Sequence, residues 1–197
     1  MFNTKQSPLR RRLLQAAAAT LCRLAATGAV HAQAWPAKPI RIVVGFAPGG
    51  TTDVMARVMA QSLSEALGQS VVVDNKPGSS GNVAATEVIR APADGYTFLI
   101  APTSFETANP FLFKQTIAPA KDLTPVVGVG RSQMYLLVKP QSTFKDAKEF
   151  VAYARANPGK LSYSSAGAGT PPHLAGELFK KTTGIFATHI PYRGAAP

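Results

Sequence analysis

Cysteine occurs once in the 197 residues, at Cys22, and tryptophan once, at Trp35. A single thiol excludes an internal disulfide framework and any multi-cysteine metal site. Histidine is scarce too, and neither His173 nor His189 has a partner at metal-ligand spacing. Acidic residues number 10 against 21 lysines and arginines, for a formal net charge of +11. Such a balance suits nucleic acid only where the charge is clustered and interleaved with aromatics. Here Lys5, Arg10, Arg11, Arg12 and Arg23 fall in residues 1–34, which hold no acidic residue, and beyond them no basic run exceeds Lys180-Lys181. A nucleic-acid partner is therefore not expected. An uninterrupted membrane span of about 20 apolar residues is also missing, because Arg23 breaks the apolar run from Leu13 to Val30.

That run reads instead as an export signal. A basic segment ends at Arg10-Arg11-Arg12, a Leu/Ala-rich stretch follows, and Ala32-Gln33-Ala34 supplies the small-x-small pattern of a cleavage site. Cys22 does not mark a lipoprotein, since Ala19 stands where a lipobox carries a branched apolar residue. Cleavage after Ala34 gives a periplasmic mature chain that starts at Trp35 and has no thiol chemistry. With 46% hydrophobic and 16% charged residues, the chain has the composition of an ordinary globular protein.

From Ile40 onward short β-rich runs alternate with helical patterns. Ile40–Val44 predicts a buried strand. Val54, Met55, Val58, Met59, Leu63 and Leu67 recur near the helical period and Gly68 ends them. Val71–Val73 predicts a strand, Asn75–Gly81 a Pro/Gly loop, Asn82–Arg90 a short helix and Tyr96–Ile100 a strand. This β-α-β-α-β order predicts an α/β fold, with a parallel sheet covered by helices on both faces. Residues 101–134 are less regular, and Met134–Val138 predicts a strand leaving them. Thr143 and Asp146 resemble a capping box that opens the next helix, and Asn157-Pro158-Gly159 closes it. Leu161–Ser164 predicts a strand, Pro171–Thr183 a helix with Pro at its favoured start and Gly184 at its end, and Thr188–Pro191 a last strand.

Two glycine-rich turns stand between a predicted strand and a predicted helix: Gly45–Asp53 and Ser164–Thr170. Glycine lets a ligand approach main-chain N–H groups, and the first turn of a helix adds unpaired donors at the positive end of its dipole. Each turn is thus a candidate anion site. Neither has the Gly-Lys-Ser/Thr ending of a phosphate loop or the three-glycine dinucleotide spacing. Asp53 would repel an anion, so it reads as a structural group that steadies the helix start and pairs with Arg57. Tyr192-Arg193 suits either contact with an acidic ligand or bracing of a surface. No catalytic set emerges. Ser164 and Ser165 could serve a secreted hydrolase or transferase as nucleophile, but Ser-Ser-Ala-Gly-Ala-Gly is not a Gly-x-Ser-x-Gly elbow. Only His173 lies near them in sequence.

Several strings, in order along the chain, resemble the Bug family. They are Trp35-Pro36-x-Lys38-Pro39-Ile40-Arg41, Phe46-x-Pro48-Gly49-Gly50-x-x-Asp53, Asn75-Lys76-Pro77-Gly78, Asp94-Gly95-Tyr96-Thr97, Asn109-Pro110, Ser165-x-Gly167-x-Gly169-Thr170-x-x-His173-Leu174 and Pro191-Tyr192-Arg193-Gly194. That family comprises the extracytoplasmic receptors of tripartite tricarboxylate transporters. The resemblance implies a type 2 periplasmic-binding-protein fold, two α/β domains joined by crossover strands, with 35–134 in the first and 135–197 in an incomplete second. It implies capture of a small di- or tricarboxylate or related organic acid without turnover, no cofactor or metal, membrane permease subunits as partners, and a monomer at full length. Family ligand loops carry over onto Phe46, Pro48, Gly49, Gly50, Thr51 and Thr52, onto Thr103 and Ser104, and onto Ser165, Ala166, Gly167, Gly169 and Thr170. The chain departs from its relatives at Ser104-Phe105-Glu106, where Glu106 would repel a second carboxylate if it reached the pocket. Family members also continue past Tyr192-Arg193-Gly194, so residues 35–197 alone are expected to aggregate through uncovered edges.

Overall fold

The computed structural model describes residues 34–114 and 117–195. The expected export signal and its cleavage motif lie outside the described residues, apart from Ala34. From Lys38 onward the described chain forms one compact unit, and it holds two separate parallel sheets.

The first sheet has the order β2-β1-β3, with β1 at Ile40–Val44, β2 at Val71–Asn75 and β3 at Thr97–Ile100. All pairs are parallel, with Ile42 opposite Val73 on one side and Phe98 on the other. The middle strand is the most apolar because both its faces are covered. Ile42 and Val44 point to one face and pack with Phe46, Ala56, Ala60 and Ile100, with Met55 and Met59 of the first helix against them. Val43 is fully buried on the opposite face, the side on which Arg41 reaches Glu87 of the second helix.

The first helix, α1, spans Thr51–Leu67 and stops at Gly68, whose left-handed backbone sends its N–H to Ser64 O. Glycine is favoured there because a Cβ would clash in that conformation. The second, α2, spans Asn82–Arg90. Between β2 and α2 the chain runs through Gly78, Ser79, Ser80 and Gly81 with positive φ at every residue, a run in which the two serines pay a steric cost.

Three one-turn helices follow, α3 (Ser104–Thr107), α4 (Asn109–Leu112) and α5 (Pro119–Asp122). The second sheet pairs β4 (Ser162–Ser165) with β5 (Thr188–Pro191) in parallel. Helices α6 (Ala147–Ala156) and α7 (Pro171–Thr183) accompany it. They meet through Phe150 and Phe179, ring centroids 6.2 Å apart. Helix α7 passes close over β4 at Gly176, where a Cβ would sit 2.5 Å from the Tyr163 ring.

Two expectations are corrected. Met134–Val138 is not a strand. Its residues are exposed, Leu137 to 84%, and no neighbouring strand among the described residues offers them a ladder; β-propensity forms a strand only where a partner and a covered face exist. The cap of α6 is also shifted by three residues. Asp146, not Thr143, is the N-cap and accepts from Glu149 N at 2.8 Å, while Glu149 Oε2 accepts from Lys145 N at 2.8 Å. Glutamate has the reach to fold back on the entering backbone, and aspartate at the same place does not.

The contrast between the buried middle strand and the exposed stretch is measurable by urea titration. Ile42→Ala should lower unfolding free energy by about 2–5 kcal/mol, and Leu137→Ala should change it by less than about 0.5 kcal/mol. Equal losses would mean that 134–138 is packed as a strand.

Candidate functional site

A cavity of about 240 Å³ opens where the carboxyl ends of strands from both sheets meet. Ligands of open parallel sheets bind in such crevices because the strand ends leave loops, not side-chain-filled layers. Gly45 and Phe46 follow β1, Gly78, Ser79 and Ser80 follow β2, Ala166, Gly167 and Ala168 follow β4, and Tyr192 and Arg193 follow β5; Pro191 and Phe113 complete the wall.

The first loop is set by a buried carboxylate. Asp53 is 2% exposed. Its Oδ2 accepts from Gly49 N at 2.8 Å and Arg57 Nε at 2.9 Å, and its Oδ1 accepts from Asn75 Nδ2 at 2.9 Å. Asn75 also donates to Phe46 O at 3.0 Å, which ties the end of β2 to the start of the loop. Hydrogen bonding from Arg57 is the largest influence on this carboxyl and, with Gly49 and Asn75, outweighs the cost of burial, so its pKa falls to about 2. This is the structural role expected for Asp53. Ala47 N donates to Arg193 O at 3.1 Å. The N-cap Gly50 gives α1 no side-chain cap, and a Cβ there would lie 3.4 Å from Ala195 N. The turn 193–195 therefore covers the opening of α1.

The second loop is knotted on itself. Ser165 Oγ accepts from Gly167 N at 3.1 Å, Thr170 Oγ1 donates to Gly167 O at 2.6 Å, and Gly169 N donates to His173 Nδ1 at 3.0 Å. Helix α7 starts with Pro171 and Pro172, which have no N–H, so its end offers an anion less than a usual helix start. Among the described residues the amides of Ala166 and Ala168 have no acceptor, and both residues line the cavity. Within the second loop these are the main-chain donors left without a partner.

The loops touch across the cavity. Ser80 Oγ donates to Ala168 O, and Asn109 Nδ2 of α4 donates to Ser80 O at 3.0 Å. Asn109 is 1% exposed, and its Oδ1 has no partner. A Cβ on Gly169 would lie 2.8 Å from that oxygen, at a φ of +80°, so the position requires glycine.

Of the residues selected from sequence, the structure brings Phe46, Ala166 and Gly167 into the cavity wall. Pro48 and Gly49 are exposed beside it, Gly50 lies under Ala195, and Thr51 and Thr52 begin α1. Gly169 and Thr170 support the second loop from behind, as does Ser165. Thr103 and Ser104 stand at the start of α3 and do not reach the wall, nor does the exposed Glu106. Ser79, Ser80 and Phe113 were not selected. The cluster Pro77-Gly78-Ser79-Ser80-Gly81 signals a turn at a strand end, but nothing local signals Phe113. Tyr192-Arg193, open between two roles, lines the cavity.

A histidine does reach Ser165, and it is His189 rather than His173: Nε2 lies 2.7 Å from Oγ. The hydroxyl has one proton, with Gly167 O also 3.1 Å away to take it. Ser165 is 7% exposed and is not among the residues of the cavity wall.

The family model described as "Tripartite tricarboxylate transporter family receptor" matches residues 55–197. Protein BugT of Bordetella pertussis is 38% identical over 171 residues, which is 85% of this chain and 52% of that protein. Among solved structures, Rpa4515 of R. palustris, determined with adipate, aligns with a TM-score of 0.80 at 41% identity over 83% of this chain and 55% of that one. MatC of Rhodopseudomonas palustris, with bound malate, aligns with a TM-score of 0.69 at 29% identity over 81% of this chain and 55% of that one. The chain thus spans about half the length of the relatives it matches.

Asp53 makes acid stability a probe of the first loop. Its folded pKa of about 2 lies below the ordinary aspartate value of 3.8, so the unfolded chain binds the proton more readily, and the stabilisation is complete above about pH 4 and lost as pH falls toward about 2. The loss should be on the order of 2 kcal/mol. Chemical denaturation of Asp53→Asn should show a lower plateau and no such drop; an unchanged profile would remove Asp53 from this role.

Proposed function

The chain belongs to the tripartite tricarboxylate transporter receptor family, and from that premise we propose that it captures a small carboxylate outside the cytoplasm and delivers it to membrane permease subunits. Binding is without turnover. The observation that carries this reading is the cavity between the strand ends, whose wall holds Ala166 and Ala168 together with Tyr192 and Arg193. A carboxylate has two acceptor oxygens and a delocalised charge. It fits paired main-chain donors beside a guanidinium, and it needs neither metal nor nucleophile. Relatives that carry adipate and malate support the same ligand class.

On this reading the basic n-region and Ala32-Gln33-Ala34 export the protein, and cleavage after Ala34 frees it. The two sheets are the beginnings of two lobes, divided near residue 134 in the exposed stretch between α5 and α6. The Ser80–Ala168 and Ala47–Arg193 hydrogen bonds are the contacts of the lobes in a closed arrangement. Backbone donors recognise the carboxylate, and the chain that carries it is selected by the apolar part of the wall, Phe46 and Phe113.

Thermal-shift measurements with adipate and malate test the reading. A ligand at a hundredfold excess over its Kd should raise apparent stability by about 2.7 kcal/mol. Gly169→Val puts a branched side chain against Asn109 at a positive φ and should abolish that rise, with the helical circular dichroism retained. Stabilisation that survives the substitution would place the ligand away from the second loop.

A further inference from the structure

The second loop is held from below by two stacked imidazoles. His173, on the first turn of α7, and His189, in the middle of β5, have ring centroids 4.1 Å apart and planes inclined by 25°. His173 Nδ1 accepts the Gly169 amide at 3.0 Å, and His189 Nε2 meets Ser165 Oγ at 2.7 Å. The pair thus touches both ends of the Ser165–Thr170 loop while standing outside the cavity wall. An Nδ1 that accepts a hydrogen bond carries no proton, so the contact to Gly169 exists only with His173 neutral.

The surroundings of His189 oppose charge on its ring. Tyr163 of β4 covers the other face of His189, centroids 4.9 Å apart. Tyr163 OH donates to Glu177 Oε1 at 2.6 Å, and Lys180 Nζ donates to the same carboxylate at 2.8 Å. Among the described residues the carboxylate recorded against the pair is that of Glu177 on α7, 4.0 Å from His173 Nε2, and Lys180 and Tyr163 already engage it. Burial is the main influence that lowers the pKa of His189, with repulsion from His173 next and from Lys180 last, against a smaller opposite pull from Glu177.

We propose that His173 and His189 are positioning residues for the Ser165–Thr170 loop, and that a proton on His173 releases the Gly169 amide, loosens the loop and weakens carboxylate affinity. This rests on the receptor reading for its ligand, but the effect on the loop does not. A proton on His173 turns Nδ1 from acceptor to donor, which faces Gly169 N–H donor to donor. Charge on either ring also penalises charge on the other at this separation. Mild acid therefore acts on the loop that carries the Ala166 and Ala168 amides. The direction is lower affinity at lower pH, in the range below about 6.5 where histidine titrates.

Two measurements on the full chain decide it. In nuclear magnetic resonance without ligand, between about pH 8 and pH 5, the Gly169 amide should shift with the same midpoint as the His173 ring. A Gly169 amide that stays still while the rings titrate overturns the proposal. In calorimetry with adipate as probe, affinity should fall roughly five- to tenfold across that range, as for loss of one hydrogen bond that orders the loop. In His173→Asn the side-chain oxygen can take the place of Nδ1 but does not titrate, so that variant should bind as the parent does near pH 8 and lose only the part due to the ligand's own ionisation. The same pH dependence in parent and variant would overturn the proposal. Absence of adipate and malate binding at every pH counts against the receptor reading instead, and the Gly169 amide still decides the role of the pair.

Discussion

The carboxylate of Asp53 is the constraint on which the first half of the site depends. A buried anion is costly unless it is fully paired, and this one is paired with the loop amide of Gly49, with Arg57 one turn along α1 and with Asn75 at the end of β2. The loop before α1, α1 itself and the end of β2 converge on one group. Phe46 is then fixed both by the core beneath it and by the Asn75 bond to its carbonyl, so the mouth of the cavity is shaped before any ligand arrives. Preorganisation of this kind reduces what binding must spend on ordering.

The second loop solves the same problem with neutral groups. Its hydroxyls and the amides of Gly167 and Thr170 are satisfied within the loop, His173 takes a further amide, and two prolines remove the helix-end donors that would otherwise compete. What is left over, the amides of Ala166 and Ala168, belongs to residues of the cavity wall. The unpaired main-chain donors thus lie in the loop more than at the start of α7, which opens with Pro171 and Pro172, so the two expected helix-end sites are not equivalent. Asn109 joins the halves by holding Ser80 while leaving an oxygen against Gly169.

Much of this fold is legible along the chain because its signals are local. Ile40–Val44, Asn82–Arg90, Pro171–Thr183 and Thr188–Pro191 form at the bounds that periodicity and Gly/Pro punctuation predict. Asp53 is legible as structural because a carboxylate at the mouth of an anion site has to be neutralised by something nearby, and Arg57 is one turn away. The failures have a common cause. Met134–Val138 has strand composition but no partner, and partnership is not a local property. Ser142 to Glu149 contains two overlapping capping patterns, and side-chain reach selects Asp146 with Glu149. Ser79, Ser80 and Phe113 enter the cavity only because β2, α4 and the second loop are brought together by the fold. His189 meets Ser165 only because β4 and β5 pair in a register that puts Tyr163 opposite His189.

The central claim is that leftover main-chain donors of the second loop, beside Tyr192 and Arg193, hold a carboxylate between the two sets of strand ends. A crystal structure of the full chain grown with adipate tests it most directly. A carboxylate oxygen within hydrogen-bond distance of the Ala166 and Ala168 amides, with Phe46 or Phe113 along the alkyl chain, is the predicted result. Adipate seated elsewhere, with those two amides still unengaged, would contradict it.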